Sequence, residues 1–136
     1  MSVSVAPPGS RGIDEILAAA RVRLHRIGAG EAFASQGNGG VLVDIRPHWQ
    51  RQAEGGIPGS VVVERNHLEW RFDPRCEARL AIADRYDLAV VVVCSEGYTS
   101  SLAAAALQDL GLWRATDLTG GFQAWKAQGL PVESVA

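Results

Sequence analysis

Cysteine and histidine, the two residue types that most often build metal sites, are scarce in this chain of 136 residues. Only two cysteines occur, which is too few for the disulfide framework of a small secreted domain. The sequence contains no Cys-x-x-Cys pair, and its histidines show no metal-ligand spacing; they are His25, His48 and His67. We therefore expect neither a metal site nor a bound cofactor.

Clustered positive charge and long apolar runs are also absent. The formal net charge is −2, and no basic cluster suited to nucleic acid is present. The apolar runs are too short to cross a bilayer. Residues 1–9 lack the charged start and the apolar segment of a signal peptide. We expect a cytoplasmic protein that binds neither nucleic acid nor membrane, whereas its oligomeric state is left open.

The length and the element pattern fit one α/β domain. The composition, 47% hydrophobic and 21% charged, is ordinary for a globular protein with a single core. Residues 1–11 contain Pro7, Pro8 and Gly9 and are expected to form a flexible tail, with residues 12–136 forming the domain. Apolar runs rich in β-branched residues predict strands at 41–45, 61–64 and 90–93, and residues 115–118 are expected to form a short edge strand.

Helical patterns alternate with these runs and predict a largely parallel sheet. The predicted helices cover residues 13–23, 30–35, 48–54, 67–72, 77–84, 101–110 and 122–128. In the first helix, one buried face is expected from Ile13, Ile16, Leu17, Ala20 and Leu24, because these residues recur at helical spacing.

The most informative stretch runs from residue 89 to residue 111. Four consecutive valines, at 90–93, are typical of a strand buried on both faces. Cys94 follows them directly, and a short loop containing Gly97 leads into an Ala-rich helix. Cys94 is thus expected at the carboxyl end of a strand, facing a helix amino terminus that stabilises anions. This placement favours a reactive nucleophile over a buried, inert cysteine.

Four motifs together resemble the rhodanese-like domain, over residues 24–132. They are DIR at 44–46, GGIPGS at 55–60, the loop at 94–99 and GGFQAW at 120–125. The resemblance implies a central, largely parallel sheet of about five strands flanked by helices on both faces, and it implies that residues 24–27 form a short edge strand of that sheet. It also implies that Cys94 is catalytic and carries a persulfide.

Sulfur transfer fits this loop chemically. A Cys94 thiolate would attack a sulfane sulfur and hand it to a thiophilic acceptor, and no side-chain acid or base is required because the leaving groups are stable anions. The reaction needs N–H donors around the persulfide charge. The predicted substrate-binding residues are Ser95, Glu96, Gly97, Tyr98, Thr99 and Ser100. The expected donors are thiosulfate, a polysulfide or a protein persulfide, and the expected acceptor is a thiol or cyanide.

Two other functions stay open. Cysteine phosphatases and arsenate reductases of similar fold use Cys-x5-Arg, but Ser100 stands at the arginine position, and no Lys or Arg follows Cys94 before Arg114. This counts against phosphate chemistry. A non-catalytic rhodanese module that binds a partner or senses sulfur is the other alternative, although such modules usually lack the cysteine.

Several further residues are candidates. Asp44 and Arg46 form a structural ion pair or support the active-site loop. Arg65 and Arg71 either line the mouth of the pocket, where arginine attracts an anionic donor, or lie on the solvated surface. The negative charge of Glu96 predicts only modest use of thiosulfate and a preference for a less anionic donor. Cys76 is expected to be passive, with a resolving cysteine as the alternative.

Overall fold

A four-stranded parallel sheet forms the centre of the computed structural model, which describes residues 3–136. The strands are β1 (Val41–Asp44), β2 (Val61–Val62), β3 (Val90–Val93) and β4 (Thr116–Asp117), in the order β2-β1-β3-β4. Every neighbouring pair is parallel, so the carboxyl ends of all strands meet at one edge. Asp44 lies beside Val93 in this register, which brings the segment after β1 close to Cys94.

The fifth predicted strand, at residues 24–27, is reduced to a single parallel bridge. Ile27 pairs with Leu118 beyond the end of β4. The Ile27 N–H donates to the Asp117 carbonyl at 3.2 Å, and the Thr119 N–H donates to the Ile27 carbonyl at 2.8 Å. Residues 24–27 therefore extend the edge of the sheet by two backbone hydrogen bonds at Ile27 but do not form a regular strand.

Residues 3–136 form six α-helices around the sheet. They are α1 (Ile13–Val22), α2 (Ala29–Gly37), α3 (His48–Glu54), α4 (Leu68–Phe72), α5 (Thr99–Asp109) and α6 (Gly121–Ala127). A core of β1 and β3 side chains packs with α4 and α5 on one face, and α1 lies outside α5. The opposite face packs against α2 and α6, where Phe122 and Trp125 are fully buried. Helices thus flank both faces, as expected.

Two details of the predicted helices are wrong. Residues 77–84 form turns, because the Leu80 N–H donates to the Arg71 carbonyl at 2.8 Å and tertiary contacts override helix propensity. In α1, only Leu17 and Ala20 are buried, whereas Ile13 and Ile16 are 63% and 36% exposed. This helix contacts the molecule mainly through α5, so its buried stripe is narrow.

Within residues 3–136, no helix is long and apolar enough to cross a membrane. The same part of the chain brings no three His, Cys, Asp or Glu side chains together in a way that could hold a metal ion.

Candidate active site

Cys94 lies immediately after β3 and is 5% exposed. Its Sγ accepts the Gly97 N–H at 3.2 Å, so the loop folds back over the sulfur. Gly97 has φ +87°, a left-handed conformation that L-residues rarely adopt, and a Cβ there would lie 2.8 Å from the Gly120 nitrogen. The loop geometry therefore requires glycine at this position.

The backbone of this loop presents unpaired donors near the sulfur. Among the described residues, no acceptor bonds the amide N–H of Ser95, Glu96, Tyr98, Thr99 or Ser100. The last two begin α5, an eleven-residue helix whose dipole favours negative charge at this end. Free N–H groups around a buried sulfur can stabilise an anion such as a thiolate or a persulfide.

The side chains of the loop have different surroundings. Glu96, Tyr98 and Thr99 are exposed, whereas Ser100 is buried and its hydroxyl donates to Asp117 Oδ2 at 2.7 Å. The Ser95 hydroxyl donates to both carboxylate oxygens of Glu54, at 3.0 and 3.1 Å. The hydroxyls of two predicted substrate-binding residues, Ser95 and Ser100, are thus engaged with carboxylates, which leaves the backbone as the main source of donors.

The first residues of α6, which packs on the face of the sheet opposite α5, hydrogen-bond to the Cys94 loop. The N–H groups of Phe122 and Gln123 donate to the carbonyls of Cys94 and Ser95, at 2.8 and 3.0 Å. Gly121 has φ +60°, and a Cβ there would lie 2.5 Å from the Cys94 carbonyl oxygen. The second glycine of the GGFQAW motif, Gly121, is therefore needed because the backbone of α6 lies in direct contact with the backbone of the Cys94 loop.

Replacing Gly121 with alanine should test this contact. Gly129→Ala is the matched control: it has φ +74° but no atom within 4 Å of a Cβ, so it carries only the left-handed strain of about 1 kcal/mol. Gly121→Ala adds an overpacked backbone contact of about 1–3 kcal/mol. We expect its Tm, measured by circular dichroism, to fall roughly 5–10 °C below that of the control. Equal Tm values for the two variants would contradict the close backbone contact.

Asp44 and Arg46 form a buried ion pair that reaches the loop through Glu54. Arg46 Nη2 donates to Asp44 Oδ2 at 2.7 Å, and Arg46 Nη1 donates to Glu54 Oε1 at 3.0 Å. Burial alone would lower the pKa of Arg46, but its hydrogen bonds and charge interactions with both carboxylates outweigh burial and raise the pKa. Because Glu54 also accepts the Ser95 hydroxyl, one chain of contacts joins β1 to the residue after Cys94.

The two candidate arginines of the pocket mouth bond groups close to them in sequence. Arg65 pairs with Glu69 at 2.7 Å, four residues along the chain. Arg71 donates to the Ala78 carbonyl and lines a cavity beside Val62 and Leu80. No hydrogen bond in the described part of the chain joins either guanidinium to the loop, and their role in donor binding stays a prediction. Cys76 and Cys94 are both free thiols.

Sequence reasoning missed four charged residues that contact the loop region, namely Arg21, Arg26, Glu54 and Asp117. Arg21 and Arg26 both donate to the Gly97 carbonyl, and Arg26 also pairs with the fully buried Asp117. The signal that could have found them is the aspartate within the predicted strand 115–118: a buried carboxylate requires a partner. Gln123, whose Nε2 donates to Ser95 Oγ at 3.2 Å, was missed as well.

Comparison with known proteins identifies relatives over most of the chain. The family model of the rhodanese-like domain matches residues 29–128. Thiosulfate sulfurtransferase GlpE of Stutzerimonas stutzeri (strain A1501) is 37% identical over 102 residues, which cover 74% of this chain and 84% of that protein. GlpE of Pseudomonas paraeruginosa (strain DSM 24068 / PA7) is 36% identical over 104 residues, which cover 76% and 86% of the two chains.

Solved structures share the fold. A protein of unknown function from Rhodopseudomonas palustris CGA009, described as a possible tyrosine phosphatase, superposes with TM-score 0.83 at 33% identity, covering 96% of this chain and 100% of that chain. Thiosulfate sulfurtransferase from Pseudomonas aeruginosa superposes with TM-score 0.72 at 22% identity, covering 90% of this chain and 22% of that chain. The family match over residues 29–128 and the 37% identity to the GlpE relative show that the chain belongs to the rhodanese-like domain family.

Proposed function

We propose that the protein is a sulfurtransferase in which Cys94 carries a sulfane sulfur between a donor and a thiophilic acceptor. The observation that carries this proposal is the sulfur environment: Cys94 Sγ accepts one loop N–H, and five further N–H groups of the loop have no acceptor among the described residues. A persulfide is an anion, and free backbone N–H donors in the same loop can stabilise it without any side-chain cation. The curated relatives named thiosulfate sulfurtransferase support the same reaction.

The proposed cycle needs no oxidant or reductant. The Cys94 thiolate attacks the outer sulfur of thiosulfate, an S–S bond forms, and the donor S–S bond breaks with its electron pair leaving on sulfite. The resulting Cys94 persulfide is attacked at its outer sulfur by cyanide or a thiolate. Thiocyanate or a new persulfide leaves, and the Cys94 thiolate is restored. A cytoplasmic location, where thiols stay reduced, fits this chemistry.

Phosphatase chemistry is less well supported, although one solved relative is described as a possible tyrosine phosphatase. A transferred phosphoryl group needs cationic side chains that reach its oxygens. Residues 94–100 contain no Lys or Arg. The arginines beside the loop donate to the Gly97 carbonyl, at 2.8 Å from Arg21 and 2.9 Å from Arg26, and so are engaged with the backbone.

A parallel activity assay tests the proposal. We expect thiocyanate formation from thiosulfate and cyanide, and persulfide formation from polysulfide and a thiol, both above the buffer rate. Release of p-nitrophenol from its phosphate ester should stay at background. Absence of sulfur transfer with every donor would favour a non-catalytic binding module, and ester hydrolysis would favour a phosphatase.

Glu96 should set the preference among donors. It is exposed two residues after Cys94, where its charge repels a dianion more than a singly charged donor. Glu96→Ala is therefore expected to raise kcat/KM for thiosulfate relative to a protein persulfide, whose reacting group carries a single charge, by roughly three- to tenfold, from about 1 kcal/mol of repulsion. The control is Glu77→Ala, which removes the same charge from an exposed residue outside the Cys94 loop. An unchanged ratio would remove Glu96 from donor selection.

A further inference from the structure

The carbonyl oxygen of Gly97 accepts hydrogen bonds from two guanidinium groups. Arg21 Nη2 donates at 2.8 Å and Arg26 Nη2 at 2.9 Å. The N–H of the same glycine donates to Cys94 Sγ at 3.2 Å. One residue therefore joins two positive charges on one side to the reactive sulfur on the other, and charge-assisted bonds of this kind are about twice as strong as neutral ones.

The two arginines are held by the first turn of α5 and by β4. Arg26 pairs with Asp117 through Nε–Oδ1 at 2.9 Å and Nη2–Oδ2 at 3.2 Å. Asp117 also accepts the Ser101 hydroxyl at 2.8 Å, and Arg21 Nε donates to Ser101 Oγ at 3.1 Å. Because this network contains two guanidinium groups and one carboxylate, one positive charge is left uncompensated within it.

The planarity of the peptide bond carries this charge to the loop. The described residues contain no cis peptide, and in a trans peptide the Gly97 carbonyl and the Tyr98 N–H point in opposite directions. With the carbonyl bound to the arginines, the Tyr98 N–H points away from them, as one of the unpaired donors of the loop. Bonds to the carbonyl polarise the peptide and make its N–H a better donor.

Both arginines lie before residue 29, where the match to the family model begins. Arg21 belongs to α1, and Arg26 follows that helix. The segment that supplies the charge thus lies outside the matched domain and packs on it through α5.

We propose that Arg21 and Arg26 are positioning residues that fix and polarise the Cys94 loop through the Gly97 carbonyl, and so supply from α1 and the residues after it the positive charge that the loop lacks. In the sulfurtransferase proposed above, the stabilised anion is the persulfide. The same contact holds the loop when no sulfur is bound to Cys94, which allows a test that does not depend on sulfur transfer.

Arg21 is the better residue to change. Its hydrogen-bond partners are the Gly97 carbonyl and the Ser101 hydroxyl, both neutral, so Arg21→Gln leaves no buried charge unpaired. Arg26→Gln would leave the buried carboxylate of Asp117 without its cationic partner. The matched control is Arg23→Gln, which removes the same charge just after α1 but from a pair with Asp109 whose side chains are 42% and 68% exposed.

The measurement is the rate of Cys94 alkylation by iodoacetamide at pH 7, followed by intact mass in a Cys76→Ser background. We expect Arg21→Gln to slow alkylation by roughly three- to tenfold, because the loop that holds Cys94 is then less firmly fixed and its N–H donors are less polarised. Arg21→Lys should recover at least half of the loss, since it keeps the charge, and Arg23→Gln should match the parent protein. Far-ultraviolet circular dichroism checks that each variant is folded.

Equal alkylation rates in the parent, Arg21→Gln and Arg23→Gln would overturn the proposal. The proposal would also be overturned if Arg21→Lys were alkylated as slowly as Arg21→Gln. The loss of the guanidinium shape, rather than the loss of its charge, would then explain the slower rate. Alkylation requires no sulfur donor, so a protein that fails to transfer sulfur but shows the predicted order of rates would refute the enzymatic function and leave this inference standing.

Discussion

Replacing Cys94 with serine is expected to reduce sulfur transfer by more than roughly a thousandfold, to the uncatalysed background. The hydroxyl is a far weaker nucleophile toward sulfur than a thiolate, and it cannot hold the transferred atom as a persulfide. The fold should be kept, since an Oγ at this position can accept the Gly97 N–H that now reaches Sγ. Thiocyanate formation from thiosulfate and cyanide measures the loss.

Cys76→Ser is the matched control for this experiment. Cys76 is the other free thiol of the chain and is only partly buried, in the segment after α4. If it is passive, as the sequence predicts, its replacement leaves turnover near the wild-type rate. A comparable loss in Cys76→Ser would instead assign it a resolving role, and activity that survives in Cys94→Ser would remove Cys94 from the mechanism.

Arg46→Met should produce the largest loss of stability. Arg46 is 1% exposed and bonds Asp44, Glu54 and the Gly55 carbonyl, and its guanidinium carbon lies 4.2 Å from the centroid of the Phe122 ring. Methionine keeps much of the volume but leaves the buried Asp44 carboxylate without its cation, which costs about 3–5 kcal/mol. We expect a fall in Tm of roughly 10–20 °C, measured by thermal unfolding.

The comparison variant is Arg85→Met. Arg85 also pairs with an aspartate two residues away, but the side chains of Arg85 and Asp87 are 57% and 53% exposed. Exposed pairs contribute little to stability, so its Tm should stay close to that of wild type. If Arg46→Met were as stable as Arg85→Met, the buried pair could not be what holds β1 to the loop.

The core of the sheet and the position of Cys94 could be predicted because their signals are local. Four valines predict a buried strand from four adjacent residues, and the observed β3 is Val90–Val93. The glycine-containing loop and the Ala-rich helix follow within a few residues, so the placement of Cys94 at the strand end required no knowledge of distant contacts. Of the five predicted strands, four are present, and the one predicted at 24–27 is a single bridge between Ile27 and Leu118.

The supporting charges could not be predicted because they depend on distant contacts. Arg21 and Arg26 meet Gly97 across 76 and 71 residues of sequence, and Glu54 meets Ser95 across 41. In the sequence, an arginine near a helix end is equally well explained by the helix dipole. The prediction of a helix at 77–84 was wrong for a similar reason. The Leu80 N–H donates to the Arg71 carbonyl, which lies outside the segment, and the segment forms turns instead.

The intact mass of the protein after incubation with thiosulfate or polysulfide tests the central claim, that Cys94 carries the sulfur. We expect a gain of one sulfur atom, about 32 mass units on a thiolate nucleophile, which is lost on adding a reducing thiol and is absent in Cys94→Ser. The same gain in Cys94→Ser, or no gain in the wild type with either donor, would contradict it.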